Sequence, residues 1–226
     1  MRQTVFYNTH LSMGGKMVPF AGYEMPVEFS GVKNEHNNVR NHVGVFDVSH
    51  MGEIKVTGPD AAKFVQHVTS NDVQQLVPGK IQYSCFPNGR GGIVDDLLVY
   101  MFSENHYLLV VNASNIEKDY DWLVGHQMDG AEVINESYLV SQLAVQGPDA
   151  GKVIQKITDT QLSEVPYFHF VEGNIGPVES VLISNTGYTG AGGFELYMSN
   201  ADGPKVFNAV MDAGKEFNIA PAGLAA

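Results

Sequence analysis

Apolar positions recur with helical spacing in two places along the chain, and the two places resemble each other. Ala61, Phe64, Val65 and Val68 share one helix face, as do Ala150, Val153, Ile154 and Ile157. The flanking residues repeat with them. Val56-Thr57-Gly58-Pro59-Asp60-Ala61-Ala62-Lys63-Phe64-Val65-Gln66-His67-Val68-Thr69 recurs as Val145-Gln146-Gly147-Pro148-Asp149-Ala150-Gly151-Lys152-Val153-Ile154-Gln155-Lys156-Ile157-Thr158. Val, Gly, Pro, Asp, Ala, Lys, Gln and Thr match in one ungapped register. Each copy reads as a strand end running into a helix, over 59–69 and 148–158. Proline stands where the helix begins and aspartate lies in the first turn, where the helix dipole favours it. Downstream, Leu97-Leu98-Val99-Tyr100-Met101 resembles Phe194-Glu195-Leu196-Tyr197-Met198, and helix-like segments follow at 116–123 and 204–211.

Each half therefore reads strand, helix, two or three strands, helix. That order predicts an α+β protein made of two related units, each an antiparallel sheet with helices packed on one face. One long repeat points to duplication rather than a solenoid. The expected division is residues 1–54 plus 136–226 as a discontinuous first domain, with 55–135 as an inserted second α+β domain. A short helix is expected over 33–43, closed by Gly44. The segments Met13-Gly14-Gly15-Lys16 and Phe20-Ala21-Gly22-Tyr23-Glu24-Met25-Pro26 read as loops.

A second pattern is the strand Gly91-Gly92-Ile93-Val94-Asp95-Asp96-Leu97-Leu98-Val99-Tyr100, entered through Pro87-Asn88-Gly89. Side chains alternate along a strand, so Asp95 and Asp96 face opposite sides of the sheet. One shares a face with Val94 and Leu98, the other with Ile93, Leu97 and Val99. A carboxylate among such neighbours needs a hydrogen-bond donor. That donor is either a ligand or nearby backbone, and this stretch alone leaves both open. The glycine-rich run Gly187-Tyr188-Thr189-Gly190-Ala191-Gly192-Gly193 follows the apolar strand Val181-Leu182-Ile183. It reads as a hairpin turn and not a phosphate loop, since no Gly-Lys-Ser/Thr follows.

Composition narrows the classes. The chain has 226 residues, 44% hydrophobic and 17% charged, as in ordinary globular proteins. Its net charge is -12, from 25 acidic and 13 basic residues, which argues against nucleic acid or an anionic membrane as partner. The single cysteine, Cys85, lies in the strand-like run 81–86 and excludes an intrachain disulfide or a cysteine-based zinc site. His36, His42 and His50 lack metal-ligand spacing, so no metal is expected. Asp47, Ser49 and His50 are neighbours in an extended stretch and face opposite ways, a poor basis for a catalytic triad. No apolar run approaches membrane-spanning length and no signal pattern opens the chain, so a cytoplasmic protein is expected.

Several motifs in order resemble one family. They are residues 14–27 (Gly-Gly-Lys-Met-Val-Pro-Phe-Ala-Gly-Tyr-Glu-Met-Pro-Val), Phe46-Asp47-Val48-Ser49-His50-Met51-Gly52, Gly91-Gly92-Ile93-Val94-Asp95-Asp96, Val111-Asn112-Ala113-Ser114-Asn115, Glu117-Lys118-Asp119, Gly147-Pro148 and Gly187-Tyr188-Thr189-Gly190. The set resembles the aminomethyltransferases of the glycine cleavage system, the T-proteins. The resemblance implies a duplicated folate-binding fold and a transferase that moves the aminomethyl carbon from the lipoyl arm of H-protein to tetrahydrofolate. The products are 5,10-methylenetetrahydrofolate and ammonia.

It also implies that Asp96 contacts the folate, orients its amine and stabilises the positive charge of transfer. Met51, Tyr83, Tyr100, Asn112 and Tyr188 lie at positions resembling the folate pocket. Ala191 stands at the position read as the family's pterin-gripping glutamate. The chain ends at Gly223-Leu224-Ala225-Ala226, where the family continues with Arg-Asp and a third, β-rich domain. The expectation is thus a family fragment that binds folate poorly and has little activity. H-protein and tetrahydrofolate are the expected partners and a monomer the expected state. The competing function is a non-catalytic folate-binding or scaffold relative. A folate-linked demethylating enzyme lacks support, since no dinucleotide-binding motif is present.

Overall fold

The computed structural model describes residues 1–226. The chain opens with β1 (Arg2–Gln3), α1 (Tyr7–Ser12), β2 (Lys16–Phe20), β3 (Tyr23–Glu28), α2 (Val32–Asn41) and β4 (Val43–Asp47). The middle carries β5 (Gly52–Thr57), α3 (Ala61–Val68), β6 (Ile81–Pro87), β7 (Ile93–Ser103), β8 (His106–Val111), α4 (Ile116–Gly125) and β9 (Glu132–Asn135). Then follow β10 (Val140–Gln146), α5 (Ala150–Gln155), β11 (Phe170–Ile175), β12 (Val178–Ser184), β13 (Gly193–Ser199), α6 (Gly203–Ala213) and β14 (Ile219–Pro221). Two compact units result, one of residues Met1–His50 with Val140–Ala226 and one of Met51–Leu139.

The middle unit is a five-stranded antiparallel sheet in the order β6-β7-β8-β5-β9. Its inner face presents Ile54, Val56, Leu97, Val99, Leu109 and Val111 to Phe64 and Val65 of α3 and to Ile116 and Leu123 of α4. The discontinuous unit has a six-stranded sheet in the order β11-β12-β13-β10-β4-β14 and a three-stranded sheet, β1-β3-β2. The six-stranded sheet packs Val45, Leu143, Val145 and Leu196 against Val153 and Ile154 of α5 and Val206 and Phe207 of α6. In each unit the strand that carries the repeat is flanked by the strand preceding the second helix on one side and by a short antiparallel strand on the other. The fold class is α+β, with α3 and α4 on one face of the middle sheet and α5 and α6 on one face of the six-stranded sheet, while Val39 of α2 packs on the latter's other face against Phe46 and Ala144.

Contacts explain the repeated residues. Gly58 (φ 116°) and Gly147 (φ 132°) each need a left-handed backbone, and a Cβ at either would collide with a carbonyl, that of Gly130 or of His42. The Asp60 and Asp149 amides donate to those same two carbonyls. Gln66 accepts from the Val73 amide at 2.8 Å, and Gln155 accepts from the Leu162 amide at 3.0 Å, so each glutamine ties its helix to the following turn. The helices themselves are shorter than 59–69 and 148–158, because Asp60 and Asp149 occupy the cap position.

Three expectations need correction. The likeness of 97–101 to 194–198 pairs strands that are not equivalent. β13, like β8, lies beside the repeat strand and precedes a helix, whereas β7 is one strand further out. Two apolar strands that each cover a helix layer match by period alone. Gly44 does not close α2. It lies within β4, where a Cβ would stand 2.4 Å from Val39 Cγ2, so glycine permits the helix to approach the strand. Residues 16–28 form a hairpin, not loops. Ala21 (φ 48°) and Gly22 (φ 83°) make the two-residue turn whose twist suits paired strands.

Candidate functional site

The face of the middle sheet away from α3 and α4 gathers most of the expected residues. Strand pairing aligns Glu53, Val110, Leu98 and Tyr83 in one row, and Lys55, Leu108, Tyr100 and Ile81 in the next. Cys85 pairs with Asp96 in the row on the other side, and Asn112 follows directly on β8. Tyr100 is fully buried and Tyr83 exposed. Met51 is half-buried, just before β5.

Asp96 is held from both ends. Asn112 Nδ2 donates to Asp96 Oδ1 at 2.7 Å, and Tyr83 Oη donates to Asp96 Oδ2 at 2.6 Å. Both donors are neutral, so the charge stays uncompensated by a cation. Each oxygen keeps acceptor capacity for a further partner. Asp95 points to the helix-covered face with Leu97 and Val99, as alternation requires. It is nonetheless tied to its neighbour, because the same Asn112 nitrogen donates to Asp95 Oδ1 at 3.0 Å.

Behind Asp95 lies Asp119, in the first turn of α4 and wholly buried. The two carboxyls face each other, and neither Asp119 oxygen nor Asp95 Oδ2 has a hydrogen-bond donor in the folded chain. Burial, then the facing Asp95 carboxyl and its charge, push the Asp119 carboxyl up to about 8, against a small opposing pull from Lys118. Burial pushes Asp95 up as well, but is outweighed by Asp119, Asn112 and Asn115, and its carboxyl ends below the ordinary value. Glu53 is a further buried carboxyl on the open face. Neither of its oxygens has a hydrogen-bond partner, and burial holds its value well above the ordinary one.

Tyr188 and Ala191 belong to the other unit, in the connection from β12 to β13. That connection closes against Gln146. A Cβ at Gly187 would meet its amide, and Thr189 Oγ1 donates to its Oε1 at 2.8 Å. Tyr188 is fully exposed, and Ala191 packs against the apolar cluster Val39, Phe46, Ala144 and Ala222. The carboxyl of this segment is Glu195, half-buried on β13. It accepts from Gln142 Nε2 at 3.0 Å and from the Thr186 hydroxyl, and burial raises its value.

Asp47, Ser49 and His50 do not form a relay. Asp47 is bonded to His10 at 2.9 Å and to Thr4 at 2.6 Å, and Ser49 Oγ donates to the Gln142 carbonyl. His50 is buried, which lowers its value against the pull of Asp47.

Residues 6–226 match the family model described as the GCVT N-terminal domain. The chain is 57% identical over 226 residues to an aminomethyltransferase of Bacteroides fragilis and 58% identical to one of Bacteroides thetaiotaomicron. Each match covers 100% of this chain and 63% of the relative, so the chain spans less than two thirds of the curated relatives' length. Among solved structures, the glycine cleavage system aminomethyltransferase T from Bartonella henselae superposes with a TM-score of 0.90 at 31% identity, over 99% of this chain and 60% of that one. A chain of heterotetrameric sarcosine oxidase from Corynebacterium sp. U-96 shares the fold, with a TM-score of 0.64 at 16% identity over 97% of both chains.

Proposed function

The chain belongs to the GCVT N-terminal domain family, and on that premise we propose that it acts in tetrahydrofolate-dependent aminomethyl transfer of the glycine cleavage system. The observation that carries the reading is the Asp96 carboxylate, fixed by Asn112 and Tyr83 with no cation beside it. Bound tetrahydrofolate supplies the amine that accepts the carbon from the lipoyl arm of H-protein, and ammonia is released. Asp96 serves this by orienting that amine and by offsetting positive charge as it develops. Tyr83, exposed on that face, and the half-buried Met51 offer the aromatic and apolar contact that a flat pterin needs, whereas the fully buried Tyr100 presents no surface to a ligand. Asn112 and Tyr83 keep the carboxylate from turning away. The direct test is single-turnover transfer from aminomethylated H-protein to tetrahydrofolate, with ammonia measured. Absence of both turnover and folate binding overturns the reading.

The carboxylate that the resemblance calls for on the pterin's polar edge is assigned to Glu195 rather than to position 191. Ala191 fills an apolar patch, whereas Glu195 is half-buried and bonded by the neutral groups of Gln142 and Thr186. A half-buried carboxylate of that kind gains from two further donors. Glu195→Gln keeps the shape and loses the charge. It is expected to weaken folate binding about 10- to 100-fold, the value of a charge-assisted bond. Ala191→Glu is expected to bring no gain and to cost stability, since it places a carboxylate among Phe46, Ala144 and Ala222. Calorimetry with tetrahydrofolate reads both variants, and tighter binding by Ala191→Glu would restore position 191 to the site.

H-protein as donor, a monomeric state and a cytoplasmic setting complete the proposal. No helix is long and apolar enough to cross a membrane. With a net charge of -12, the chain is expected to show no retention on duplex DNA at physiological salt, and retention in a pull-down would contradict the charge argument.

A further inference from the structure

The Glu117-Lys118-Asp119 motif has no role in the reaction as described, yet it puts a wholly buried acid directly behind the Asp-Asp pair. Neither Asp119 oxygen nor Asp95 Oδ2 has a conventional donor. Two carboxylates that meet away from water cannot both be ionised, so one proton must lie between them. We propose that Asp119 is a positioning residue for the transfer site: its carboxyl proton latches Asp95, and Asp95 and Asp96 together clamp the Asn112 amide that holds the Asp96 carboxylate in place. The inference rests on the aminomethyltransferase reading for its link to catalysis, while the latch itself rests on geometry.

Every charged or polar group facing the pair bears on it. From β7 come Asp95 and Asp96. From the segment leading into α4 come Asn112, which donates to Asp95 Oδ1 at 3.0 Å, and Asn115, whose polar side chain faces Asp95 and helps lower its value. From α4 itself comes Lys118, whose ammonium stands 4.0 Å from Asp119 Oδ1 but donates to the Val94 carbonyl at 2.7 Å. Without the proton, three carboxylates would surround one amide and one exposed lysine. Asn112 Nδ2 has two hydrogens, shared among Asp95 Oδ1, Asp96 Oδ1 and the Asp96 carbonyl. Loss of the latch frees Asp95 to withdraw, and the Asn112 amide then loses one of its two anchors. The Asp119 value of about 8 lies above the ordinary 3.8, so its stabilising contribution is full below 3.8 and is lost as pH rises through 8. The latch is closed at neutral pH and opens in alkali.

The experiment uses the full chain labelled for NMR, with the Asp119 carboxyl and the Asn112 side-chain amide followed through pH 8. Both signals should move with one midpoint. In Asp119→Asn the amide replaces the shared proton with a permanent donor, so the Asn112 signal should stay flat in alkali. Aminomethyl transfer by that variant should lie within about twofold of the parent at neutral pH and lose its alkaline decline. Asp119→Leu removes the donor, and should displace the Asn112 signal at every pH and lower kcat/KM about tenfold or more with the melting curve still cooperative. An Asn112 amide indifferent to the Asp119 titration overturns the proposal. So does an alkaline decline kept by Asp119→Asn. If the wild-type chain shows the linked titration but no transfer activity, the latch stands and the aminomethyltransferase reading falls.

Discussion

Asp96→Asn is expected to lower aminomethyl transfer about 100- to 1000-fold while leaving the fold intact, the usual scale for removing one preorganised electrostatic group from a transfer site. The substitution keeps the volume of the side chain. Its carbonyl oxygen can still accept from Asn112 Nδ2, and the Tyr83 hydroxyl can turn to accept where it previously donated. What disappears is the negative charge facing the developing cation. Stability should not fall, because Asp96 repels the neighbouring Asp95 carboxylate and contributes to the raised value of Asp119. The Asp119 midpoint should therefore drop in the variant, a second readout that needs no substrate. Unfolding free energy is expected to stay within about 1 kcal/mol of the parent. Near-normal single-turnover rates would remove Asp96 from the chemistry.

The parts of this site that could be read from sequence are those that break a pattern. Two adjacent aspartates inside the apolar run 93–100 violate the strand's hydrophobic alternation, and that violation is visible without coordinates. Asp119 breaks a pattern too. It shares the helix stripe of Ile116 and Leu123, both buried, and an acid on an apolar stripe signals burial or pairing. Its partner could not be deduced, because the contact crosses from α4 to β7. Glu53 and Glu195 were hidden for the opposite reason. Each alternates correctly with apolar neighbours, Ile54 and Val56 in one case and Phe194 and Leu196 in the other. Alternation marks such positions as facing water, yet Glu53 is buried and Glu195 half-buried. The helix-and-strand repeat was legible because its identities do structural work in both copies, as the Gly58 and Gly147 contacts show. The hairpin of residues 16–28 was not, because glycine and proline at 14, 15, 19, 22 and 26 read as loop while pairing overrides them.

Glu35 is another residue that its sequence context conceals, and it carries the largest expected effect on stability. It lies near the start of α2, a helix with mostly polar neighbours, and it is buried. Its Oε1 accepts from the amides of Phe29, Ser30 and Gly31 at 2.7, 2.7 and 2.9 Å, and its Oε2 accepts from the Gly223 amide at 2.8 Å. One carboxylate thus holds the three amides leading into α2 and ties them to a segment 188 residues away. Water can replace part of this in Glu35→Ala, since Ser30 is exposed. It cannot replace the Gly223 bond, because that backbone is packed so closely on Val27 that a Cβ would stand 2.3 Å from it. With the Gly223 bond and one of the other three left unreplaced, at about 1.5–3 kcal/mol each, Glu35→Ala costs about 3–6 kcal/mol. For a chain of this length that corresponds to a fall of about 6–24 °C in melting temperature. Glu35→Gln should cost nearly as much, because its amide NH2 would oppose an N–H that now finds an acceptor. Thermal unfolding followed by circular dichroism tests both variants. A melting temperature for Glu35→Ala within about 2 °C of the parent would show that the carboxylate is not what joins the start of α2 to residue 223.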